Sequence, residues 1–274
     1  MTTNQSLARG LEILSAVDES GEPLGIRELA RLLEISPSIA QRLANTLVDA
    51  GYLHQVTQTR KYRLGYRALA LGSATARSDA LHVTASAELK ALAETHQLNG
   101  YLGAIQQNSV VYLHTVQSSG PIAIRAEAGQ RIPAHTTAMG KCLVAELSAE
   151  RASLVLGPSP YAARTKHSIT GARALQSELA NIRQRGYAIA DEENEVGVVS
   201  IGTVIRNKDG VAVAAISVAF LKAQRDPEEW PAIAQLVVSA ALRCSKALGY
   251  SSNTFDQSTA IDRSFEAAKL TQTE

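Results

Sequence analysis

The sequence has few of the features that mark disulfide-rich, membrane or metal-dependent proteins. Its two cysteines, Cys142 and Cys244, lie far apart and form no Cys-x-x-Cys pair. Such usage argues against a disulfide or zinc framework and for a reducing compartment. The chain also has no signal-peptide pattern and no apolar run long enough to span a bilayer. We therefore expect a cytoplasmic protein with no metal, no cofactor and no membrane partner.

The common catalytic motifs are missing as well. Gly140 and Lys141 lack the upstream glycines of a phosphate-binding loop, and neither Gly-x-Ser-x-Gly nor His-Glu-x-x-His occurs. Cys142, next to Lys141, could be an activated thiolate, but its apolar surroundings favour a small buried hydrophobic residue. We do not expect an enzyme.

Charge and length limit what kind of nucleic-acid-binding protein this could be. The formal net charge is only +1, so a surface that binds nucleic acid must be local. With 274 residues and 45% apolar composition, the chain is long enough for two domains with packed cores.

The most informative pattern lies in residues 26–64. A short amphipathic helix beginning at Ile26 is followed by Ser36, a good N-cap, and Pro37, which suits the first turn of a second helix ending near Gly51. The residues of the second helix that we expect to face the core are Ile39, Leu43 and Leu47. Those on its opposite, polar side, which could contact base edges, are Ser38, Gln41, Arg42 and Asn45.

A basic hairpin is predicted directly after these helices. Residues 52–56 and 61–64 alternate in character around a Thr-Gln-Thr tip, as two antiparallel strands would. Between Gly51 and Arg67 there is no acidic residue, so the hairpin can approach phosphates without repulsion. A helix-turn-helix followed by such a hairpin is a winged DNA-binding unit.

The helix pair alone could equally be a small helical domain with a solvated face. The acid-free wing favours DNA, because each part then meets a geometric need of a duplex. The residues predicted to contact double-stranded operator DNA are Arg27, Ser36, Ser38, Gln41, Arg42, Asn45, Arg60, Lys61 and Arg63.

The rest of the chain alternates between helical and strand patterns. We expect residues 1–4 to be disordered and a first helix at 6–17 to cover the core with Leu7, Leu11, Leu14 and Val17. Further helices are predicted at 66–79, 80–96, 136–145, from 148, at 170–186 with a Thr170 cap, and at 227–248. Strands are predicted at 100–105, 109–116, 122–126, 198–205 and 211–220.

Three further blocks, 131–141, 185–198 and 210–218, complete a resemblance to the IclR family of bacterial transcription regulators that covers residues 6–249. The resemblance implies an α+β protein: a winged helix-turn-helix (1–65), a linker helix (66–79), and a GAF-like α/β effector-binding domain with an antiparallel sheet (80–250). We expect the remainder, 251–274, to be a disordered tail. Family members are typically homodimers or dimers of dimers that repress or activate catabolic genes.

The resemblance also places an effector pocket. The residues carried over to it, with Ile124 as part of an apolar wall, are His135, Thr137, Ala138, Met139, Gly140, Ala190, Asp191, Ser200, Ser217 and Ala219. The helix start near Thr137 offers N–H groups to an anion, while alanines at 190 and 219 predict a less polar pocket than in members that bind small keto-acids. We therefore expect an aromatic or carboxylate metabolite.

Each of these residues also has a purely structural interpretation. Ser217 could bond a neighbouring carbonyl, Thr136 and Thr137 could only cap their helix, and His135 could be structural. The acids at 191–195 could hold a metal, but a solvated loop is the commoner case. The alternative function is a ligand-sensing or catalytic GAF-type domain whose winged helix contacts a protein partner.

Overall fold

The computed structural model describes residues 4–118, 124 and 126–251. The chain divides into two compact units, Met1–Ser78 and Asp79–Glu274. Among the described residues, no helix is long and apolar enough to cross a membrane.

The N-terminal unit is a winged helix-turn-helix, as predicted. Its elements are α1 (Gln5–Ser20), α2 (Ile26–Leu32), α3 (Pro37–Asp49), β1 (Leu53–Gln55), β2 (Tyr62–Leu64) and α4 (Tyr66–Ser78). Ser36 caps α3 by accepting a hydrogen bond from the N–H of Ile39, and Pro37 occupies the first turn, where its missing N–H costs nothing. β1 and β2 pair antiparallel, with Gln55 opposite Tyr62.

The buried stripe of α1 differs from the predicted one. Val17 is buried as predicted and Leu14 packs against the core, but Leu7 and Leu11 are 63% and 56% exposed, and Gly10 and Ile13 are buried instead. Residues 10, 13 and 17 follow helical periodicity and lie on one face, from which positions 7 and 11 are rotated away. Asn4, predicted to be disordered, instead caps α1 by accepting a hydrogen bond from the N–H of Leu7.

The buried face of α3 is also shifted from the predicted one. Ala40 and Ala44 are fully buried, while Ile39, Leu43 and Leu47 are only half-buried. The two alanines let α3 lie close to its neighbours, and the larger side chains pack around the edge of that contact.

The C-terminal unit has a six-stranded antiparallel sheet between two layers of helices. Its helices are α5 (Ala80–His96), α6 (Ala138–Ala145), α7 (Ala149–Leu156), α8 (Ala172–Arg185) and α9 (Trp230–Ala247). Its strands are β3 (Asn99–Gln106), β4 (Ser109–Val116), β5 (Arg131–Ile132), β6 (Ala188–Asp191), β7 (Val198–Arg206) and β8 (Ala212–Leu221), in the order β5-β4-β3-β8-β7-β6.

The two faces of this sheet have different side chains. Larger residues such as Leu102, Ile201 and Ile216 pack against α5 and α9. The opposite face, under α6 and α8, has small buried side chains at Ala188, Ala190, Ala215 and Ala219, and we call it the alanine face. The alanine face therefore leaves room between the sheet and α6.

Three glycines bring α6 unusually close to its surroundings. A Cβ atom at Gly140 would lie 2.5 Å from the Cα of Ala134, and one at Gly103 would lie 2.3 Å from the Sδ of Met139. A Cβ atom at Gly202 would lie 3.2 Å from the backbone nitrogen of Met139 on α6 and 2.9 Å from the Cβ of Ser217 on the neighbouring strand. No larger residue fits these positions without displacing α6 or the sheet.

A few boundaries differ from the predicted ones. Helix α8 has Gly171 rather than Thr170 as its N-cap, with no side-chain cap, and α9 begins at Trp230 after a 3₁₀ turn at Pro227–Glu229. The short strand β5 had no recognisable alternation in the sequence. Ile124 and Ala126 lie outside strands, while residues 122, 123 and 125 of the predicted strand and residues 252–274 of the predicted tail lie outside the described residues.

Candidate functional sites

The polar face of α3 is exposed over its full length. Ser38, Gln41, Arg42 and Asn45 are all accessible to solvent. Ser36 is exposed too, but its hydroxyl oxygen is occupied by the N–H of Ile39 and lies 3.0 Å from the hydroxyl of Ser38. The structure thus brings together the predicted base-contacting residues, and it gives Ser36 a capping role.

The wing is less uniformly basic than the sequence indicated. Arg60 and Arg63 are exposed and form no ion pair within the described part of the chain, but the Nζ of Lys61 lies 3.5 Å from the Oε2 of Glu28 on α2. The N–H of Gly25 and then the Lys61 ammonium hold the pKa of Glu28 below its usual range. The hairpin itself contains no acid, so this partner could not be predicted from residues 51–67. Arg27 is exposed on α2.

The C-terminal unit contains a cavity of about 220 Å³ between the start of α6 and the alanine face of the sheet. The predicted residues that line it are Ile124, Thr137, Ala138, Met139, Ala190, Ser200, Ser217 and Ala219. Strand register explains their proximity, because Ser200 pairs with Ala190 on one side and Ala219 on the other. Ser217 lies in the next row, opposite Tyr101.

Three residues predicted for the pocket do not line it. The Nε2 of His135 lies 2.9 Å from the carbonyl oxygen of Ala162, and its ring packs on Tyr161, so it holds a loop in place. Gly140 is covered by Ala134. The carboxylate of Asp191 lies 2.8 Å from the Nζ of Lys222, which holds it away from the cavity.

The cavity lining is more polar than the alanines at 190 and 219 indicated. Additional polar lining residues are Tyr101, Tyr112, Gln130, Arg131, Arg164, Asn194 and Glu195. Tyr101 and Tyr112 follow the strand alternation and could have been identified from it. The other five lie in loops or at the two-residue strand β5, and no sequence pattern marks them.

The two tyrosines form a ring-lined wall of the cavity. Their ring centroids are 5.1 Å apart, and the hydroxyl of Tyr101 donates to the carbonyl of Ile124 at 3.0 Å. Burial raises the pKa of Tyr112 to about 12 and also raises that of Tyr101. Both phenols are therefore neutral near pH 7 and act as hydrogen-bonding groups.

A buried ion pair fixes the loop that borders the cavity. Lys141, fully buried on α6, places its Nζ 2.6 Å from the Oε1 of Glu193 and 2.7 Å from the carbonyl oxygen of Ile189. Desolvation raises the pKa of Glu193, and the Lys141 ammonium opposes that rise. Thr136 donates to the Oδ1 of Asn194 in the same loop at 3.1 Å. These contacts tie the start of α6 to residues 193–194.

The acids at 191–193 and the thiol of Cys142 have structural roles as well. Lys222 binds both Asp191 and Glu192, so the acids at 191–193 are neutralised by lysines. Within the described ranges, no three His, Cys, Asp or Glu side chains are grouped as metal ligands would be. Burial raises the pKa of the Cys142 thiol to about 12, which makes it a protonated, buried group.

Comparison with known proteins decides between the candidate functions. Residues 6–57 match the model of the IclR helix-turn-helix domain, and residues 73–246 match the model of the bacterial transcriptional regulator IclR C-terminal domain. The chain belongs to the IclR family. Like other IclR regulators it is a transcriptional regulator with a helix-turn-helix DNA-binding domain and a C-terminal effector domain, which argues against a winged helix dedicated to a protein partner.

Full-length relatives support this assignment. The HTH-type transcriptional regulator XynR of Escherichia coli (strain K12) is 30% identical over 246 residues, covering 90% of this chain and 98% of XynR. A crystal structure of an IclR transcriptional regulator from Silicibacter sp. TM1040 has a TM-score of 0.80 and 25% identity, covering 90% of this chain and 97% of that one. An IclR homologue from Microbacterium hydrocarbonoxydans, complexed with 4-hydroxybenzoate, has a TM-score of 0.77 and 24% identity, covering 89% and 99%.

The Lys141–Glu193 pair predicts a large, partner-dependent stability effect. Replacing Lys141→Met leaves the buried Glu193 carboxylate without its ammonium, and we expect a loss of about 3–5 kcal/mol in the free energy of unfolding. The double variant Lys141→Met/Glu193→Leu should lose clearly less than the sum of the single changes. Equilibrium urea unfolding of the four proteins measures this coupling.

The matched control is Lys90→Met, because Lys90 forms an exposed ion pair with Glu94 at 3.8 Å. Its unfolding free energy should change by less than about 1 kcal/mol. Additive single changes at 141 and 193 would show that the two residues are not coupled.

Proposed function

We propose that this IclR-family regulator binds operator DNA through α3 and the wing, and that a small carboxylate or aromatic metabolite in the cavity changes that affinity. The target would be a catabolic operon, under repression or activation. The observation that supports this best is the exposed polar face of α3 next to the basic hairpin Leu53–Leu64, in a chain whose other unit encloses a cavity of ligand size.

The proposed DNA contacts fall into two groups. Arg42, Gln41 and Asn45 project from a helix that would lie in the major groove, where they could contact base edges. Arg60 and Arg63 of the wing would contact phosphates, as would the exposed Arg27. Phosphate contacts set affinity and its salt dependence, whereas base contacts set sequence preference.

The Glu28–Lys61 pair allows a test in which DNA binding is strengthened. Replacing Glu28→Gln removes the negative charge 3.5 Å from Lys61 and keeps an oxygen for the N–H of Gly25. We expect tighter binding to all sequences and a steeper dependence of log K on log salt concentration. Arg63→Ala should instead reduce that slope by about 0.9, the value for one lost phosphate contact.

The measurement is a titration at several salt concentrations with duplex DNA from the protein's own promoter region and a scrambled duplex of equal length. Glu94→Gln, which removes the acid of an exposed pair in the other unit, is the charge-matched control and should leave the slope unchanged. Unchanged slopes for both Glu28→Gln and Arg63→Ala would place the phosphate contacts elsewhere.

The cavity chemistry supports a ligand with an anionic end and an apolar or aromatic body. The hydroxyls of Ser200 and Ser217 and the positive charge of Arg164 suit a carboxylate. At the start of α6, the N–H of Ala138 already donates to the Oγ of Ser200 at 3.4 Å, and the N–H of Gly140 donates to the Oγ1 of Thr137. The rings of Tyr101 and Tyr112 suit a flat body. The volume of about 220 Å³ is below the roughly 300–1,000 Å³ of sites for drug-sized ligands, which favours a small metabolite.

Filling the cavity should abolish the ligand response. Ser217 is 4% exposed and lies in the cavity wall, so Ser217→Leu would occupy the space of the ligand. Aliphatic and aromatic carboxylates, including 4-hydroxybenzoate, are first screened for those that change promoter affinity. We expect Ser217→Leu to remove at least nine-tenths of that change while ligand-free affinity stays within about threefold.

The control is Ala87→Leu, an equivalent enlargement at an exposed position of α5, and thermal unfolding of both variants monitors folding. A Ser217→Leu protein that is folded and responds fully would place the effector outside this cavity.

We further propose that the working form is a homodimer or a dimer of dimers. One winged unit spans only a short half-site. The linker helix α4 presents Tyr66 and Leu69, one helical turn apart and 80% and 67% exposed, as an apolar surface that a second copy could cover. The operator should then be near-palindromic, with half-sites separated by whole helical turns.

Analytical ultracentrifugation at micromolar concentration tests this proposal. The wild-type protein should sediment as a dimer or larger, and Leu69→Glu should shift it toward monomer because the charge would be buried in the contact. Leu154→Glu, at a 53% exposed position of α7, is the matched control. A wild-type protein that is monomeric with and without DNA would contradict the proposal.

A further inference from the structure

Tyr62 of the wing reaches from the core of the N-terminal unit to the polar face of α3. Its side chain is 1% exposed and packs in the cluster that contains Ile13 and Leu29. Its hydroxyl lies 2.9 Å from the Nε2 of Gln41 and 3.0 Å from the Nε2 of Gln55. The phenol therefore holds one side chain of α3 and one of the wing.

The hydrogen bonds of Gln55 determine which hydrogen-bonding capacity of the Tyr62 hydroxyl remains for Gln41. The Nε2 of Gln55 also donates to the carbonyl oxygen of Arg60 at 3.1 Å, and a carbonyl can only accept. The amide nitrogen of Gln55 thus faces the phenol and fills one lone pair of its oxygen. One lone pair and one proton remain for the amide of Gln41.

Gln41 is also bound to Asn45, one turn further along α3, by an amide–amide hydrogen bond of 2.8 Å. In one arrangement Gln41 donates through its Nε2 to both Tyr62 and Asn45, which leaves the Oε1 of Gln41 and the Nδ2 of Asn45 free. With both amides turned over, Gln41 accepts from both partners, and its Nε2 and the Oδ1 of Asn45 are free. Each arrangement leaves one acceptor and one donor on two exposed side chains that are joined by a hydrogen bond.

The unbonded acceptor and donor of Gln41 and Asn45 can together distinguish one base from the others. In the major groove guanine offers two acceptors, cytosine a single donor, and thymine an acceptor and a methyl group. Only adenine offers a donor, N6–H, and an acceptor, N7, on one base edge. We propose that Gln41 and Asn45 together recognise one adenine for each α3 bound to DNA, with Tyr62 as the residue that positions them.

This inference rests on the proposed contact of α3 with base edges and goes beyond it by naming the base and the positioning residue. A free glutamine side chain must lose its rotamer freedom when it binds, whereas Gln41 is already held at two points. The preference for adenine should therefore depend on the Tyr62 hydroxyl, although that hydroxyl does not itself contact DNA.

The experiment is in vitro selection from a random-sequence duplex library with the purified full-length protein, followed by sequencing of the bound DNA. We expect the wild-type consensus to contain an adenine favoured about 10-fold to 100-fold over the other bases at that position. Gln41→Ala, Asn45→Ala and Tyr62→Phe should each reduce the preference at this same position to below about threefold. Gln41→Glu, which can only accept, should shift it to cytosine.

A second measurement on Tyr62→Phe and one control variant separate positioning from folding. Tyr62→Phe keeps the buried ring, so affinity for random duplex DNA and the preferences at other positions should stay within about twofold of wild type. Thr46→Ala removes an exposed hydroxyl that donates to the carbonyl of Arg42, and it should leave the adenine in the consensus. Because Gln41 and Asn45 are exposed, their variants test the adenine contact even if Tyr62→Phe unfolds.

The outcomes distinguish this inference from the proposed function. A consensus that is unchanged in Gln41→Ala and Asn45→Ala, or that loses different positions in the two, overturns the adenine contact while DNA recognition stands. An adenine retained in folded Tyr62→Phe overturns the positioning role. A wild-type protein that selects no sequence at all overturns both the inference and the proposed operator binding.

Discussion

Helix α6 is buried along its whole length, and the geometry of the cavity depends on that burial. Because no face of α6 is exposed, the ammonium of Lys141 cannot reach solvent and needs hydrogen-bonding partners inside the protein. It finds the carboxylate of Glu193 and the carbonyl of Ile189. The loop after β6 is thereby tied to α6, which brings Asn194 and Glu195 to the cavity. Part of the pocket wall is thus a consequence of satisfying one buried charge.

In the N-terminal unit, one side chain likewise has two structural roles: Tyr62 contributes to the core and also bonds to side chains at the surface. Its ring fills the space between α1, α2 and the wing, while its hydroxyl orders polar side chains at the solvent. A phenol suits both tasks because its body is apolar and its tip forms hydrogen bonds. Phenylalanine or leucine could fill the core but could not organise the surface.

How much could be predicted from the sequence depended on whether a feature is local. Ser36 and Pro37 mark the start of α3 by their own chemistry, and residues 207–210, which include Asn207 and Gly210, turn the chain between β7 and β8. The apolar residues of α1 were ambiguous, because leucines also occupy its exposed side; tertiary packing selected Ile13 and Val17 over Leu7 and Leu11.

Features formed between distant segments were not visible in the sequence. The acid that pairs with Lys61 comes from α2, and Arg164 borders the cavity from a loop without periodicity. The pocket residues inferred by family resemblance were mostly those on α6 and the strands, whose positions are set by register. The loop residues that make the lining polar depend on how each loop is anchored, as His135 and Lys141 anchor two of them.

The glycines beneath α6 affect the size of the cavity. At Gly103 and Gly202 the sheet lacks the Cβ atoms that would otherwise press against Met139 and Ser217. The depth of the cavity thus depends on Cβ atoms that are missing from the strands as well as on the side chains that line it. A single methyl group added at either position would displace Met139 or Ser217, which both line the cavity. The size of the cavity could then be altered by one substitution that leaves every lining side chain unchanged in identity.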